Sequence, residues 1–292
     1  MITDFLLLLV AISWGATFVL VQKAIADIPV FVFLSLRFFL AFLLMFIIFF
    51  KKLNFNIETL KAAIILGIFN FLVFSFQTFG LLYTSSSIVA FITGLYVILT
   101  PIIAFLLFKK TISIFAIIGT ILATIGLYYL TLSDNLTFGI GEFLTFLSAI
   151  FVALHINFTD IYSKKYNIYT LVTFQFLTIA LLSVIFIPFE KGNINFSKDV
   201  VIALIVTVIF ATVFAYFVQT YAQKFTSSTK TAVIFAMEPV SAAIFGYFYG
   251  EHLTYKQILG AILVITAMII TEIGEEIFKK MKAKVLKLLN RA

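Results

Sequence analysis

The chain has 292 residues, of which 63% are hydrophobic and 11% are charged, and its mean hydropathy is +1.19. A composition this apolar excludes an ordinary water-soluble domain and is typical of a chain whose solvent is the lipid bilayer. The formal net charge of +7 does not indicate nucleic-acid binding, because there is no soluble domain to carry a basic patch.

Ten apolar segments follow one another along the chain, each about 20 residues long, the length that crosses ~30 Å of hydrocarbon as an α-helix. We therefore predict an all-α integral membrane protein with ten transmembrane helices. In chain order the predicted spans are 5–24, 30–50, 62–83, 88–108, 112–130, 143–162, 168–188, 200–221, 232–249 and 253–271.

Lysine and arginine are concentrated in alternate loops and in the tail, and cytoplasmic loops carry the positive excess in membrane proteins. The distribution predicts that both termini lie in the cytoplasm and that the protein is a multi-pass component of the cytoplasmic (inner) cell membrane. Only three basic residues then fall outside, Lys191, Lys198 and Lys256.

Catalytic and metal-binding residue patterns are missing from the sequence. There is no cysteine, and the two histidines, His155 and His252, lie far apart in the sequence, so we expect neither a metal nor a cofactor. The spans contain no paired carboxylates, no Ser-His-Asp set and no histidine cluster, so we do not expect an intramembrane enzyme.

The second half of the chain repeats the first. At one constant offset the polar segment 77–78 falls on 219–220 and 84–86 falls on 226–228, and at a slightly smaller offset Pro101 falls on Pro239. Five spans per copy reverse the direction of crossing, which predicts inverted repeats with the substrate between them at the midplane. The repeats are residues 1–137 and 138–273, followed by a basic cytoplasmic tail, 274–292.

Polar residues inside the spans are costly in hydrocarbon and normally face a bundle interior or a wet cavity. Asn70, Phe74 and Gln77 share one helix face, and the repeat places Tyr216 and Gln219 on an equivalent face. Hydrogen bonding between helices is the alternative role for each residue taken singly. The predicted substrate-binding residues are Trp14, Thr17, Asn70, Gln77, Tyr96, Thr100, His155, Tyr216 and Gln219.

Two ionisable residues within the spans stand out, because each is replaced in the other repeat. Glu238, at the position of Thr100, is interpreted as a proton-coupling group or as a structural partner for Arg37, Lys230 or a freed backbone group. Arg37, at the position of Gln175, either binds a substrate carboxylate or extends to the membrane interface.

The two repeat-related prolines each remove one helical hydrogen bond inside a span. We expect a kink or local unwinding where Pro101 and Pro239 free the carbonyls of Val97 and Phe235. Broken helices at equivalent positions of inverted halves indicate a binding site and a hinge, although proline is also tolerated in membrane helices. Pro101, Pro239, Glu238 and Arg37 are the predicted coupling or gating residues.

Taken in order across both halves, these motifs resemble the EamA family of the drug/metabolite transporter superfamily, over the whole chain except the tail. The resemblance implies a ten-helix inverted-repeat fold in a bacterial or archaeal cytoplasmic membrane and export of amino acids and related metabolites. It departs from the family pattern at Lys109 and Lys110, where the family often has an acidic residue. The motifs are 14–16, 37–39, the turn 83–86, 91–101, 237–240, and 250–251 ahead of Gly260.

The sequence therefore predicts a secondary transporter that exports amino acids or related small metabolites by alternating access around a midplane cavity. Efflux of many drugs or lipophilic cations is the alternative, with Glu238 as the counter-charge. A passive channel or a membrane scaffold would not explain the paired prolines and polar stripes. The expected partners are a small-molecule substrate, the lipid bilayer and protons as a candidate coupling ion, with no nucleic acid, in a monomer or homodimer.

Overall fold

The computed structural model describes residues 2–131, 139–248 and 254–289, and within these ranges every regular element is a helix. The α-helices are α1 (Ile2–Gly15), α2 (Phe18–Ala24), α3 (Val30–Phe49), α4 (Ile57–Tyr83), α5 (Ser86–Gly94), α6 (Tyr96–Phe108), α7 (Ile114–Thr131), α8 (Ile140–Lys165), α9 (Ile168–Phe186), α10 (Lys198–Val206), α11 (Ala215–Ala222), α12 (Ser228–Phe235), α13 (Met237–Phe248) and α14 (Tyr255–Leu289). A π-helical segment, Thr207–Phe214, joins α10 to α11.

Seven helical segments of the described ranges are long and apolar enough to cross a membrane, which indicates a multi-pass membrane protein. They are Ile2–Ala24, Val30–Lys52, Ile57–Tyr83, Ile88–Phe108, Ile140–Lys165, Ile168–Phe189 and Lys198–Ala222.

The other three expected spans have a different form. Spans 112–130 and 253–271 correspond to shorter apolar helices, Ile114–Leu130 and Tyr255–Thr271, and span 232–249 is divided between α12 and α13. Residues 249–253, including His252, and the expected boundary between the repeats at 137/138 lie outside the described residues. The part of the tail from 274 to 289 continues α14 without a break.

Serine side chains begin the two helices that follow the repeated 84–86 and 226–228 segments. The Ser85 hydroxyl accepts from the Ile88 amide at 3.4 Å, and the Ser227 hydroxyl accepts from the Lys230 amide at 3.2 Å. Such N-caps satisfy one of the backbone donors that a helix leaves unpaired at its start. The repeated polar segments therefore place the starts of α5 and α12.

Single residues interrupt the two proline-containing segments, Leu95 between α5 and α6 and Ala236 between α12 and α13. Each amide bonds to a carbonyl three residues back, at 3.2 Å, which tightens the turn. Ala236 directly follows Phe235, as expected from Pro239. In the first half the break lies at Leu95, two residues before the position predicted from the sequence, Val97. Pro101 itself lies inside the continuous helix α6.

The most extensive helix packing in the described ranges is between α7 and α14, and α4 packs along both α8 and α9. Small residues allow the α7–α14 contact, as is common between membrane helices. A Cβ added at Gly260 would lie 2.4 Å from the Leu130 backbone nitrogen and 2.5 Å from the Gly126 carbonyl oxygen. Neither backbone atom can move aside alone.

A glutamate that follows span 168–188 binds the first backbone amides of α3. The Glu190 carboxylate accepts from the amides of Val30 and Phe31, at 2.6 and 2.8 Å. These are free donors at the start of α3, whose own N-cap residue, Pro29, provides no side-chain bond. A carboxylate there also complements the helix dipole, so Glu190 ties the end of α9 to α3.

We expect Gly260→Ala to lower the thermal unfolding temperature of the purified protein in detergent, because the added methyl group must separate α7 from α14. Overpacking of this kind costs about 1–3 kcal/mol. Gly139→Ala is the matched control, since a Cβ there meets only the Glu142 carboxylate, at 3.2 Å. Equal unfolding temperatures for the two variants would contradict this packing.

Candidate functional site

A cavity inside the helix bundle encloses ≈ 720 Å³ of empty space, its opening included. Its walls come from α1, α2, α3, α4, α5, α6, α8, α11, α12 and α13. Eight of the nine predicted substrate-binding residues line it, together with Arg37 and Glu238. The eight are Trp14, Thr17, Asn70, Gln77, Tyr96, His155, Tyr216 and Gln219.

The remaining predicted site residues lie outside this lining. The Thr100 hydroxyl is fully buried and donates to the Tyr96 carbonyl at 2.7 Å, while the Thr100 carbonyl accepts from the Asn157 amide at 3.0 Å. Thr100 therefore bonds within α6 and to α8 instead of facing the cavity. Pro101 and Pro239 are also buried, and neither lines the cavity.

Apolar residues complete the walls of the cavity. Polar residues within the spans were the basis of the sequence prediction, so it gave no reason to include these apolar residues in the site. Phe18 and Val21 follow Trp14 and Thr17 at the spacing of one helix face. A search for residues three or four positions from each predicted polar residue, on the same helix face, would have found them. Leu81 follows Gln77 on α4, and Val152 precedes His155 on α8, at the same spacing.

Aromatic rings form one wall around the only tryptophan of the sequence. The Trp14 ring centroid lies 5.5 Å from that of Tyr216 and 4.9 Å from that of Phe235, in tilted and edge-to-face arrangements. The Trp14 indole N–H donates to the Ala211 carbonyl at 2.9 Å, which holds the ring in place. A wall of this kind is apolar on its faces and still fully hydrogen-bonded at its polar edge.

Arg37 lies inside the bundle and does not extend to the membrane interface, since only 4% of its surface is exposed. Its Nε–H donates to the Thr212 hydroxyl at 2.8 Å and its terminal nitrogen donates to the Ala211 carbonyl at 3.4 Å. The guanidinium also lies 4.8 Å from the centre of the Phe74 ring. Within the described ranges no carboxylate forms an ion pair with it.

The π-helical segment explains how one backbone carbonyl reaches two side chains. At the end of this segment the Ala215 amide donates to the carbonyls of Phe210 and Thr212. In an α-helix it would instead donate to the carbonyl of Ala211, four residues back. The wider turn directs the Ala211 carbonyl toward the donors of Trp14 and Arg37. Nothing in the sequence, read alone, indicated this segment.

A buried polar network supports the opposite wall and joins α4, α8 and α9. The Asn70 side-chain nitrogen lies 3.0 Å from His155 Nε2 and donates to Gln175 Oε1 at 3.2 Å. The Tyr216 hydroxyl donates to Asn70 Oδ1 at 3.4 Å. Gln175 is fully buried behind the lining, so it positions the residues that face the cavity.

Glu238 faces the cavity without a charged partner. Its exposure is 9%, and within the described ranges neither an ion pair nor a hydrogen bond reaches its carboxylate. The two cations that the sequence suggests as partners of Glu238 bond to other groups. Lys230 pairs with Asp4 at 2.9 Å, and Arg37 bonds to Thr212.

Two other buried polar atoms of the lining lack a protein partner. They are the Tyr96 hydroxyl and Gln219 Oε1, on side chains only 2% and 1% exposed. Unpaired polar groups are rare in protein interiors, because each costs the free energy of losing its hydration. Their position around a cavity indicates a place for a polar ligand. No group of three or more metal-binding side chains occurs in the part of the chain searched.

Comparison with known proteins gives one family. The model of the EamA-like transporter family matches residues 1–132 and again residues 139–273. An uncharacterized transporter of Archaeoglobus fulgidus is 36% identical over 271 residues, which cover 92% of this chain and 85% of the relative.

More distant similarities agree with this. YoaV, an uncharacterized transporter of Bacillus subtilis, is 23% identical over 87% of this chain and 91% of its own length. A solved crystal structure superposes with a TM-score of 0.79 over 94% of this chain and 98% of its own. Its 12% sequence identity means that it shows the fold alone.

We expect Thr212→Val to destabilise the protein, because it leaves the buried Arg37 Nε–H without its acceptor. Hydrogen bonds to charged groups contribute about 1.5–3 kcal/mol. Thermal unfolding in detergent should show a lower midpoint for Thr212→Val. Thr266→Val is the control, since Thr266 is exposed on α14 and bonds only to the Ile262 carbonyl of its own helix. Equal midpoints would exclude a structural role for the Arg37–Thr212 bond.

Proposed function

We propose that this chain, which belongs to the EamA-like transporter family, is a secondary transporter that exports amino acids or related small metabolites by alternating access. The observation that carries the proposal is the cavity, which is lined by polar and aromatic side chains inside a bundle of apolar helices. Such linings suit a small amphipathic solute, since polar groups fix one end and rings pack against the other.

The proposal includes ten crossings arranged as two inverted repeats, residues 1–137 and 138–273. A contact that recurs with its partners exchanged supports this relation. Arg37 on α3 bonds to Thr212, and Gln175 on α9 bonds to Asn70. Gln175 is the repeat equivalent of Arg37 at the offset that aligns the two prolines, and Thr212 is the equivalent of Asn70 at the offset of the polar segments.

The α7–α14 contact supports the same relation. A Cβ at Gly119 would meet Ala267 and Thr271, and one at Gly260 would meet Gly126 and Leu130. The three pairs of equivalent positions, 119 with 260, 126 with 267 and 130 with 271, all share one offset. A two-fold axis in the membrane plane would produce both contacts from one repeated sequence.

The proposed orientation, with both termini in the cytoplasm, assigns two ion-pair groups to the cytoplasmic end. Lys110 and Lys164 both bond to the buried Asp160 carboxylate, and Lys230 pairs with Asp4. The cavity lining extends the other way, to Val21 and Leu81. The described conformation is then closed to the cytoplasm and corresponds to the outward-facing state of an alternating-access cycle.

Glu238 is the proposed proton-coupling residue, because it is a carboxylate that faces the cavity with no cation beside it. Pro239 lies next to it at the start of α13, close to the interruption at Ala236. A change in the charge or ligand of Glu238 therefore acts directly on a broken helix, where rotation about one residue moves a whole segment.

Efflux of lipophilic cations is the second candidate function, and it is favoured by a carboxyl group and an aromatic ring, Glu238 and Trp14, that line the same cavity. Liposomes containing the protein separate the two candidates. Counterflow of one labelled amino acid that saturates with concentration supports the metabolite exporter. Movement of dye cations with no amino-acid exchange supports drug efflux. Flux that never saturates indicates a channel and contradicts both.

Glu238→Gln should abolish the acceleration of counterflow by an imposed pH gradient, because the side-chain amide of glutamine does not take up or release a proton. The measurement is the counterflow rate at saturating substrate, with and without the gradient. Glu58→Gln is the matched control, since Glu58 is exposed and bonds to Lys61 away from the cavity. An unchanged response to the gradient in Glu238→Gln would exclude the coupling role.

A further inference from the structure

We infer that the cavity contains a subsite for an organic ammonium group, formed by the acceptor atoms of Glu238, Gln219 and Tyr96 beside the ring of Trp14. The inference rests on the proposed transport function and names the chemical class of its cargo. It applies to an ammonium on a small organic molecule, with or without a carboxylate elsewhere.

Glu238 provides a carboxyl group that no described side chain meets with an ion pair or a hydrogen bond. Two buried cations bond to other groups, Arg37 to the Thr212 hydroxyl and Lys230 to Asp4, and neither pairs with Glu238. Since an isolated carboxylate is costly to bury, a positively charged ligand would regain much of the lost hydration energy. Glu238, Tyr96 and Tyr216 line the same cavity.

The orientation of the Gln219 amide follows from a relay that ends on a backbone group. The Ile156 carbonyl can only accept, so the Gln223 side chain turns its nitrogen toward it, at 2.9 Å. Gln223 Oε1 then faces Gln219 and accepts from its nitrogen at 3.1 Å. This leaves Gln219 Oε1 as the atom without a partner, an acceptor and not a donor.

Tyr96 adds a hydroxyl oxygen to this set. The side chain is 2% exposed and lines the cavity, and no described group bonds to its hydroxyl. A hydroxyl can donate or accept, so it adapts to whichever ligand the carboxylate selects. With Glu238 and Gln219 it makes three oxygen-bearing side chains available to a group that carries up to three N–H donors.

Aromatic rings complete the selection for an organic cation. Trp14 is held between Tyr216 and Phe235, and all three line the same cavity as Glu238. Ring faces attract ammonium groups and pack against their carbon atoms. An inorganic cation would gain little from such a wall.

Trp14 is the only tryptophan in the sequence, so its fluorescence reports on this cavity alone. We would titrate the purified full chain with two series of ligands built on isobutyl and benzyl groups. Each series consists of the amino acid, the amine that lacks the carboxylate and the acid that lacks the amine. Wild-type protein should respond to both ammonium-bearing members of at least one series.

Two variants test the subsite. Glu238→Gln should weaken binding of the amines at least tenfold. Tyr96→Phe removes a hydroxyl that has no partner, so it should weaken amine binding several-fold without lowering the unfolding temperature. Glu58→Gln should bind like wild type, and thermal unfolding checks that each variant is folded.

The outcomes separate this inference from the proposed function. Loss of the amines in folded Glu238→Gln supports the subsite. Unchanged amine affinity in that variant, or no response of wild type to any ammonium ligand up to its solubility limit, overturns it. Saturable counterflow of a solute without an ammonium group overturns the subsite and leaves the transporter intact. Ammonium binding without any counterflow overturns the transporter instead.

Discussion

Hydrocarbon offers no hydrogen bonds, so each polar group in the spans of this protein depends on a partner inside the bundle. The contacts of Arg37 show how strongly this constraint shapes the structure. A cation in the middle of the bundle is held by the Thr212 hydroxyl and by the Ala211 carbonyl, which a π-helical turn presents to it. The same carbonyl fixes Trp14, so one irregular turn positions both a charge and an aromatic wall of the cavity.

The polar atoms that do not meet this constraint are the informative ones. Asn70, His155 and Gln175 bond to one another, although Gln175 Nε2 has no partner, and Tyr96 and Gln219 keep unpaired atoms in the cavity lining. Arg37 and Glu238 both face the cavity, yet each lacks an oppositely charged partner among the described residues. The cavity lining therefore contains both a basic and an acidic group, which suits a polar cargo better than a uniformly apolar one.

The sequence predicted the features that depend on composition and periodicity. Apolar length predicted membrane helices, and the spacing of Asn70, Phe74 and Gln77 predicted a face that does line the cavity. Features that depend on the relative placement of distant segments were not predictable. The ion pair of Lys230 with Asp4 joins α12 to α1, and the first helix break lies at Leu95, two residues before Val97. Thr100 was predicted as a cavity residue from polarity alone, but a threonine can also bond to its own helix.

The central claim is that this cavity is a water-filled binding site within the membrane, and the sequence provides a direct way to test it because it contains no cysteine. Val73→Cys places a thiol in the lining, and Ile209→Cys places one on the exposed apolar surface. The measurement is the labelling rate of each variant in liposomes by a membrane-impermeant, thiol-specific reagent, with and without the exchanged solute. Our account predicts labelling of Val73→Cys that the solute slows, and no labelling of Ile209→Cys. Labelling of Ile209→Cys alone, or labelling of Val73→Cys that no exchanged solute affects, would contradict it.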